Sequence, residues 1–224
     1  MPFLQAEKIV FDLDDTLYLE RDFARSGFAA VGRFIAERHG VAGFADHCAA
    51  LFDGPHRAAI FDEALRRCGL AGAQPVAELV AIYRGHAPQI ALCPDAARYL
   101  AGRGGFGLIT DGPEVTQRAK IAALGLAQFC DRIIPTGQWG AGFGKPHPRA
   151  YQQMMGSAGG RACVYVADNA AKDFVTPNRM GWRTVQILRP ARVHAGSPPD
   201  ADHAAQAVID SLDQLDDVLA GWRD

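Results

Sequence analysis

The stretch IVFDLDDTLY, residues 9–18, sets the carboxylates Asp12, Asp14 and Asp15 directly behind an apolar run. The segment KIVFD (8–12) is short, apolar and ends in acid, which suits a fully buried strand. Crowding negative charge at a strand end costs Coulomb and desolvation energy. That cost needs an offset, and a divalent cation would supply one: Mg²⁺ takes hard oxygen ligands such as carboxylates and carbonyls.

Outward from this turn, residues 20–90 show no strand of comparable strength. Phe23, Phe28, Val31, Phe34 and Ile35 recur near helical spacing, which predicts a helix over 22–40 ended by Gly40. HRAAIFDEALRRCGL (56–70) and VAELVAIYRGH (76–86) predict two more helices. After Pro94 the texture alternates. A helix over 95–103 precedes strand 106–110, and a helix from Glu114 precedes strand 131–135. A helix over 148–156 precedes strand 162–168, and a short helical segment leads to strand 183–188. Residues 190–205 read as a loop. AVID (207–210) reads as a last strand, and SLDQLDDVLAGW as a helix capped by Asp210 or Ser211.

Alternation of this kind predicts an α/β fold, a Rossmann-like parallel sheet with helices on both faces. The expected organisation is a core domain of residues 1–18 and 92–224 and a small all-helical domain of residues 19–91. In open α/β sheets ligands bind at the carboxyl ends of the strands. An insert rooted there can cover the site.

Those strand ends carry the candidate chemistry. Asp12 and Asp14 follow the first strand, Thr110-Asp111-Gly112 close the second, and Asp168 and Asn169 close the fourth. Lys172 and Asp173 come shortly after, and Lys145 stands in GFGKPHP before a helix. Parallel strands would bring these ends to one edge. Two carboxylates and a backbone carbonyl there would hold Mg²⁺, Lys145 would balance phosphate charge, and Thr110 would bond a phosphoryl oxygen. One aspartate can attack phosphorus while the other moves protons.

Four elements, taken in order, resemble the signatures of the haloacid dehalogenase superfamily in its phosphatase branch: FDLDDT, the strand-terminal Thr110, the Lys145-Pro146 pair and VADNAAKD. The resemblance implies a two-step phosphomonoester hydrolase. Asp12 would be nucleophile and metal ligand. Asp14 would be acid/base, with its carbonyl as a ligand, and Asp168 the third ligand. Thr110 and Lys145 would act on the phosphoryl group, helped by backbone N–H groups near Asp111 and Gly112. Asp173 and Asn169 would support them, Asp173 by orienting Lys145.

The dehalogenase members lack the second aspartate, so Asp14 disfavours dehalogenation. The insert resembles the family's helical cap. Its stretch 20–90 has no lysine, which argues against a phosphonate hydrolase. Ala167 stands where the fourth signature often has Gly. A phosphomutase of the same family and a non-catalytic phospho-acceptor are the alternative functions.

Asp15 reads as a turn residue, and Thr16 as holding the turn through a backbone bond. Trp139 reads as lining the site or anchoring its loop, and His147 as touching substrate or starting a helix. Arg21, Phe23, Arg25 and Ser26 are candidates to reach the leaving group. His39, His47, His56, His86, His194 and His203 show no metal spacing and read as surface or packing residues.

Lys plus Arg number 23 and Asp plus Glu 25, a net charge of −2, which leaves no basic footprint for nucleic acid or an anionic membrane. The five cysteines form no C-x-x-C pair, so buried thiols in a reducing compartment are expected. MPFLQAEKIVFDLDD meets acid too early for a signal peptide, and no apolar run is long enough to span a bilayer. The expectation is a cytoplasmic enzyme of a small phosphorylated metabolite, with no signal for oligomeric state.

Overall fold

The computed structural model describes residues 7–54, 57, 59–194 and 196–222. His56 and the start of the chain, on which the signal-peptide reading rests, lie outside the described residues. The chain divides into two compact units, Met1–Glu20 with Ala91–Asp224, and Arg21–Ile90.

The helical unit follows from its apolar spacing. Helix α1 runs Glu20–His39, α2 Phe44–Asp53, α3 Ile60–Arg67 and α4 Val76–Gly85. Phe28, Val31, Ile35, Phe44, Cys48, Leu51, Leu65 and Leu79 form its core. Phe28, Phe61 and Tyr83 stack within it at 5.6–6.2 Å between centroids. Helix α2 was not anticipated. It is ten residues long, has no side-chain N-cap and lies between Gly43 and Gly54, so its ends carry no polar start signal. Its buried Phe44, Cys48 and Leu51 do keep the i, i+4, i+7 pattern.

The other unit holds the sheet. Its strands are β1 Lys8–Phe11, β2 Phe106–Thr110, β3 Cys130–Pro135, β4 Cys163–Ala167, β5 Arg183–Ile187 and β6 Ala207–Ile209. Their order is β3-β2-β1-β4-β5-β6, and every pairing is parallel. Helices α5 Pro94–Leu100, α6 Glu114–Ala123, α7 Arg149–Ser157, α8 Val175–Arg179 and α9 Leu215–Gly221 flank it. Strands β2 and β4 are buried at every residue, as continuous apolar strands of a sheet covered on both faces should be. The expected α/β sheet is therefore present.

From β1 the chain moves outward through β2 and β3. It then returns to place β4 on the other side of β1. Connections leave β1 and β4 in opposite directions, so a crevice opens between their carboxyl ends. Asp12 and Asp168 are the residues that follow those strands.

Two buried polar contacts brace this arrangement. Lys8 is fully buried, and its ammonium reaches Gly105 O at 2.5 Å and the Asp131 carboxylate. Arg189, 5% exposed, donates to the Asp95 carboxylate at 3.0 and 3.1 Å and to the Thr16 carbonyl at 2.8 and 2.6 Å. Asp95 also accepts the Leu212 N–H at 2.8 Å. The Thr16 hydroxyl, expected to hold the turn, is buried with no hydrogen-bond partner. The turn is held instead through the Thr16 carbonyl, by an arginine 173 residues away.

Burial pushes the Asp95 carboxyl up, but the Leu212 N–H and the Arg189 guanidinium outweigh it and hold the group below its ordinary value. A depressed acid stabilises the fold above its unfolded value, near pH 4, and loses that contribution as pH falls through the folded value. Asp95→Asn should cost about 3 kcal/mol at pH 7. In urea titrations the gap to the wild type should shrink steadily between about pH 5 and pH 3. A gap that is constant with pH would remove the ionic account of this contact.

Ser211, one of the two expected caps, caps a 3-10 turn, Leu212–Gln214, that leads into α9. Its hydroxyl accepts the Asp213 N–H at 3.2 Å, and Gln214 bonds back in a capping box.

Candidate active site

Asp12 continues the β1 ladder, donating its N–H to Val166 O at 2.9 Å. Its carboxylate lies 2.6 Å from Lys145 Nζ. Lys145 is fully buried and also meets Asp173 at 2.8 Å and the Tyr165 hydroxyl at 3.0 Å. Its ammonium donates to Asp12 and to Tyr165, and pairs with Asp173 by charge. Asp173 in turn accepts the Asn169 N–H at 3.0 Å, and the Asn169 side chain accepts the Ala171 N–H at 3.0 Å. The fourth strand end is thus a closed turn that presents Asp168 and Asp173 together.

Asp14 points elsewhere. Its carboxylate takes Lys120 Nζ at 2.7 Å, Gln117 Nε2 at 3.0 Å and the Tyr18 hydroxyl. Burial pushes this group up, yet Lys120 and the other donors prevail and hold it below the ordinary range. Gln117 and Lys120 lie three residues apart on α6, so both reach the site from one helix face. Neither was singled out from the sequence. Their spacing was the available signal.

Asp15 adopts a left-handed backbone with φ 51°, which a short polar side chain tolerates. Its carboxylate accepts the N–H groups of Glu20 at 2.9 Å and Val193 at 2.6 Å, as a turn residue should.

Thr110 is fully buried at the end of β2, and its hydroxyl oxygen lies 3.0 Å from Gln117 Nε2. Asp111 is a hub. It accepts the Thr136 hydroxyl at 2.8 Å, the Lys145 N–H at 3.0 Å and Lys172 Nζ at 2.7 Å. Gly112 has φ 122°, which favours glycine. A Cβ at Gly137 would stand 2.1 Å from Gly112 O, so the two loops meet backbone to backbone.

A cavity of about 110 Å³ opens among Asp12, Asp14, Glu20, Asp111, Asp168, Asn169, Lys172 and His194. His194 is exposed, as its reading as a surface residue expected; it also lines this cavity and lies 3.9 Å from Glu20. The loop that carries it is drawn in through the Val193 N–H. His147 accepts the Arg149 N–H at 3.2 Å and so starts α7. Trp139 packs on the core and stacks on the Arg149 guanidinium at 4.6 Å, an anchoring role. Inside the helical unit, Arg21 and Arg25 pair with Asp53 at 3.6 Å, Phe23 stacks on Tyr83 and His86, and Ser26 bonds His86.

Carboxylate oxygens of Asp12, Asp168 and Asp173 lie within 4.8 Å of one another. Burial pushes Asp168 up to about 9 and Asp12 up to about 7, with the neighbouring acids adding to the shift and Lys145 opposing it. Asp168 Oδ2 is buried with no hydrogen-bond partner among the described residues. A buried acid cluster with an orphaned oxygen is short of positive charge, and its hard oxygen donors fit a divalent cation.

Residues 8–181 match the model of the haloacid dehalogenase-like hydrolases. This chain belongs to that family. Curated relatives include a glyceraldehyde 3-phosphate phosphatase of Methanocaldococcus jannaschii, 32% identical over 51% of this chain and 48% of that protein. A phosphoserine phosphatase of Thermus thermophilus is 31% identical over 64% of this hydrolase and 59% of its own length. The hydrolase thus spans about half the length of the curated relatives it matches. Among solved structures, a 2-haloacid dehalogenase of Pseudomonas syringae aligns with a TM-score of 0.63 and 26% identity, covering 97% of this chain and 100% of that one. No described helix of the hydrolase is long and apolar enough to cross a membrane.

Proposed function

We propose that this hydrolase cleaves phosphomonoesters of small metabolites through a phospho-Asp12 intermediate. The observation that carries the reading is the second carboxylate, Asp14, two residues beyond Asp12 and lining the same cavity. Asp12 would attack phosphorus as the bond to the leaving oxygen breaks, and that oxygen would take a proton that Asp14 picks up from solvent and passes on, returning to its charged form. Water would then attack phosphorus, give its proton to Asp14, and release phosphate and the Asp12 carboxylate. Lys120, Gln117 and Tyr18 favour the charged form of Asp14, which base work on water requires.

Thr110 and the N–H groups of Asp111 and Gly112 would bind phosphoryl oxygens. Lys145 would offset charge on Asp12 and the phosphoryl group together. Asp12, Asp168 and the Asp14 carbonyl would hold Mg²⁺, which when bound supplies positive charge to the phosphoryl oxygens.

The 26% identity to a dehalogenase favours a second reading, in which Asp12 attacks a halogen-bearing carbon. One assay separates the two. Purified protein with Mg²⁺ is offered p-nitrophenyl phosphate and a panel of phosphorylated metabolites, and in parallel 2-chloropropionate. Phosphate release abolished by chelation, without chloride release, is expected. Chloride release without phosphate release would transfer the assignment to dehalogenation.

A further inference from the structure

Gln117 is 2% exposed, and its side-chain amide faces three acceptors at once: the Thr110 hydroxyl oxygen, the Asp14 carboxylate and the Asp111 carbonyl. The Thr110 and Asp14 contacts are each 3.0 Å. Its own Oε1 is buried with no hydrogen-bond partner among the described residues. An amide NH₂ has two protons, so it is shared among groups that belong to two different strand ends. A buried acceptor left unpaired costs free energy. That cost marks the orientation of this amide as one fixed by the groups it serves.

We propose that Gln117 is a positioning residue for phosphoryl binding, an inference that rests on the phosphatase reading. A hydroxyl has one proton and two acceptor sites. By donating to Thr110 Oγ1, Gln117 occupies an acceptor site and leaves the single Thr110 proton free to donate. The bond to the Asp111 carbonyl fixes the start of the loop whose N–H groups would complete the phosphoryl cradle. The bond to Asp14 holds the acid/base in register with that cradle. Gln117 touches no reacting atom. Its main effect is on Thr110, whose proton it frees, with the bonds to Asp14 and the Asp111 carbonyl as lesser supports.

The test is a double-mutant cycle read on kcat/KM for p-nitrophenyl phosphate and on inhibition by orthovanadate, with Mg²⁺ present. Gln117→Met keeps the volume and removes the donor. It should lower kcat/KM about 30-fold and weaken vanadate in the same proportion. In a Thr110→Val background the further loss should be under about 5-fold, the part carried by the remaining bonds to Asp14 and the Asp111 carbonyl, because the hydroxyl whose proton Gln117 frees is gone. In a Thr110→Ser background, which restores the hydroxyl, the full loss should return. Gln117→Leu, which likewise removes the donor and adds no charge, gives the same pattern if the methionine variant does not fold. Losses that multiply in the Thr110→Val background, or a Gln117→Met enzyme equal to wild type, would overturn the inference alone. A wild type inactive on p-nitrophenyl phosphate and on the metabolite panel would overturn the phosphatase reading and this inference with it.

Discussion

Asp12→Asn is expected to cut phosphate release roughly 10⁴-fold or more while leaving the fold intact. An amide oxygen is no nucleophile toward phosphorus, so the proposed covalent step would be lost. Retention of the fold follows from local geometry. Asn keeps an oxygen that can accept from Lys145 Nζ, which lies 2.6 Å from Asp12, and keeps the main-chain N–H bonded to Val166 O. It also removes one negative charge from a cluster in which burial and neighbouring acids already raise Asp12 to about 7. In buffer with chelator, the variant should therefore unfold within a few degrees of wild type. Residual turnover above about one percent of wild type would remove Asp12 from the role of nucleophile.

Lys145→Met should destabilise the metal-free protein by about 3–5 kcal/mol, the usual cost of stranding a buried charge. Lys145 is wholly buried against Asp12, Asp173 and Tyr165, so its removal leaves carboxylates without their cation. The loss should depend on pH. Burial already raises Asp12, with Lys145 the main opposing influence, so the variant's Asp12 titrates higher still. An acid whose folded value is raised above the unfolded one destabilises progressively as pH rises past the unfolded value. Urea titrations at about pH 8 should therefore show a larger deficit than at about pH 5.5. An equal deficit at both would mean that lost packing, rather than charge, is the cost.

Much of the site was legible because its signals are local. Asp12, Thr110 and Asp168 each stand where an apolar run ends, and a run of that kind declares itself within a few residues. Lys145 and Asp173 were placed near the strand edge from the alternation, their roles were sharpened by the resemblance, and the structure brings them to 2.8 Å. Gln117 and Lys120 were not found. They sit on a helix among Arg118 and Glu114, which pair with each other on its exposed side. Composition does not say which polar residues of such a helix turn inward. The place of the exposed His194 beside the cavity was equally hidden, since it depends on the Val193 N–H reaching Asp15 across 178 residues. Arg189 and Asp95 gave no local sign either, being two ordinary charged residues 94 positions apart.

By itself the sequence determined the class of fold and the edge at which chemistry gathers. Apolar runs, their alternation with helices and the acids behind them are properties of neighbouring residues, and hydrophobic burial acts on them directly. Only the tertiary structure decided which charges face one another. Asp14 meets Lys120 across 106 residues, and Lys145 meets Asp12 across 133. Such pairings form when the order β3-β2-β1-β4-β5-β6 brings distant strand ends into one crevice. Electrostatic and hydrogen-bond energies depend on separation in space, and no local pattern encodes that separation.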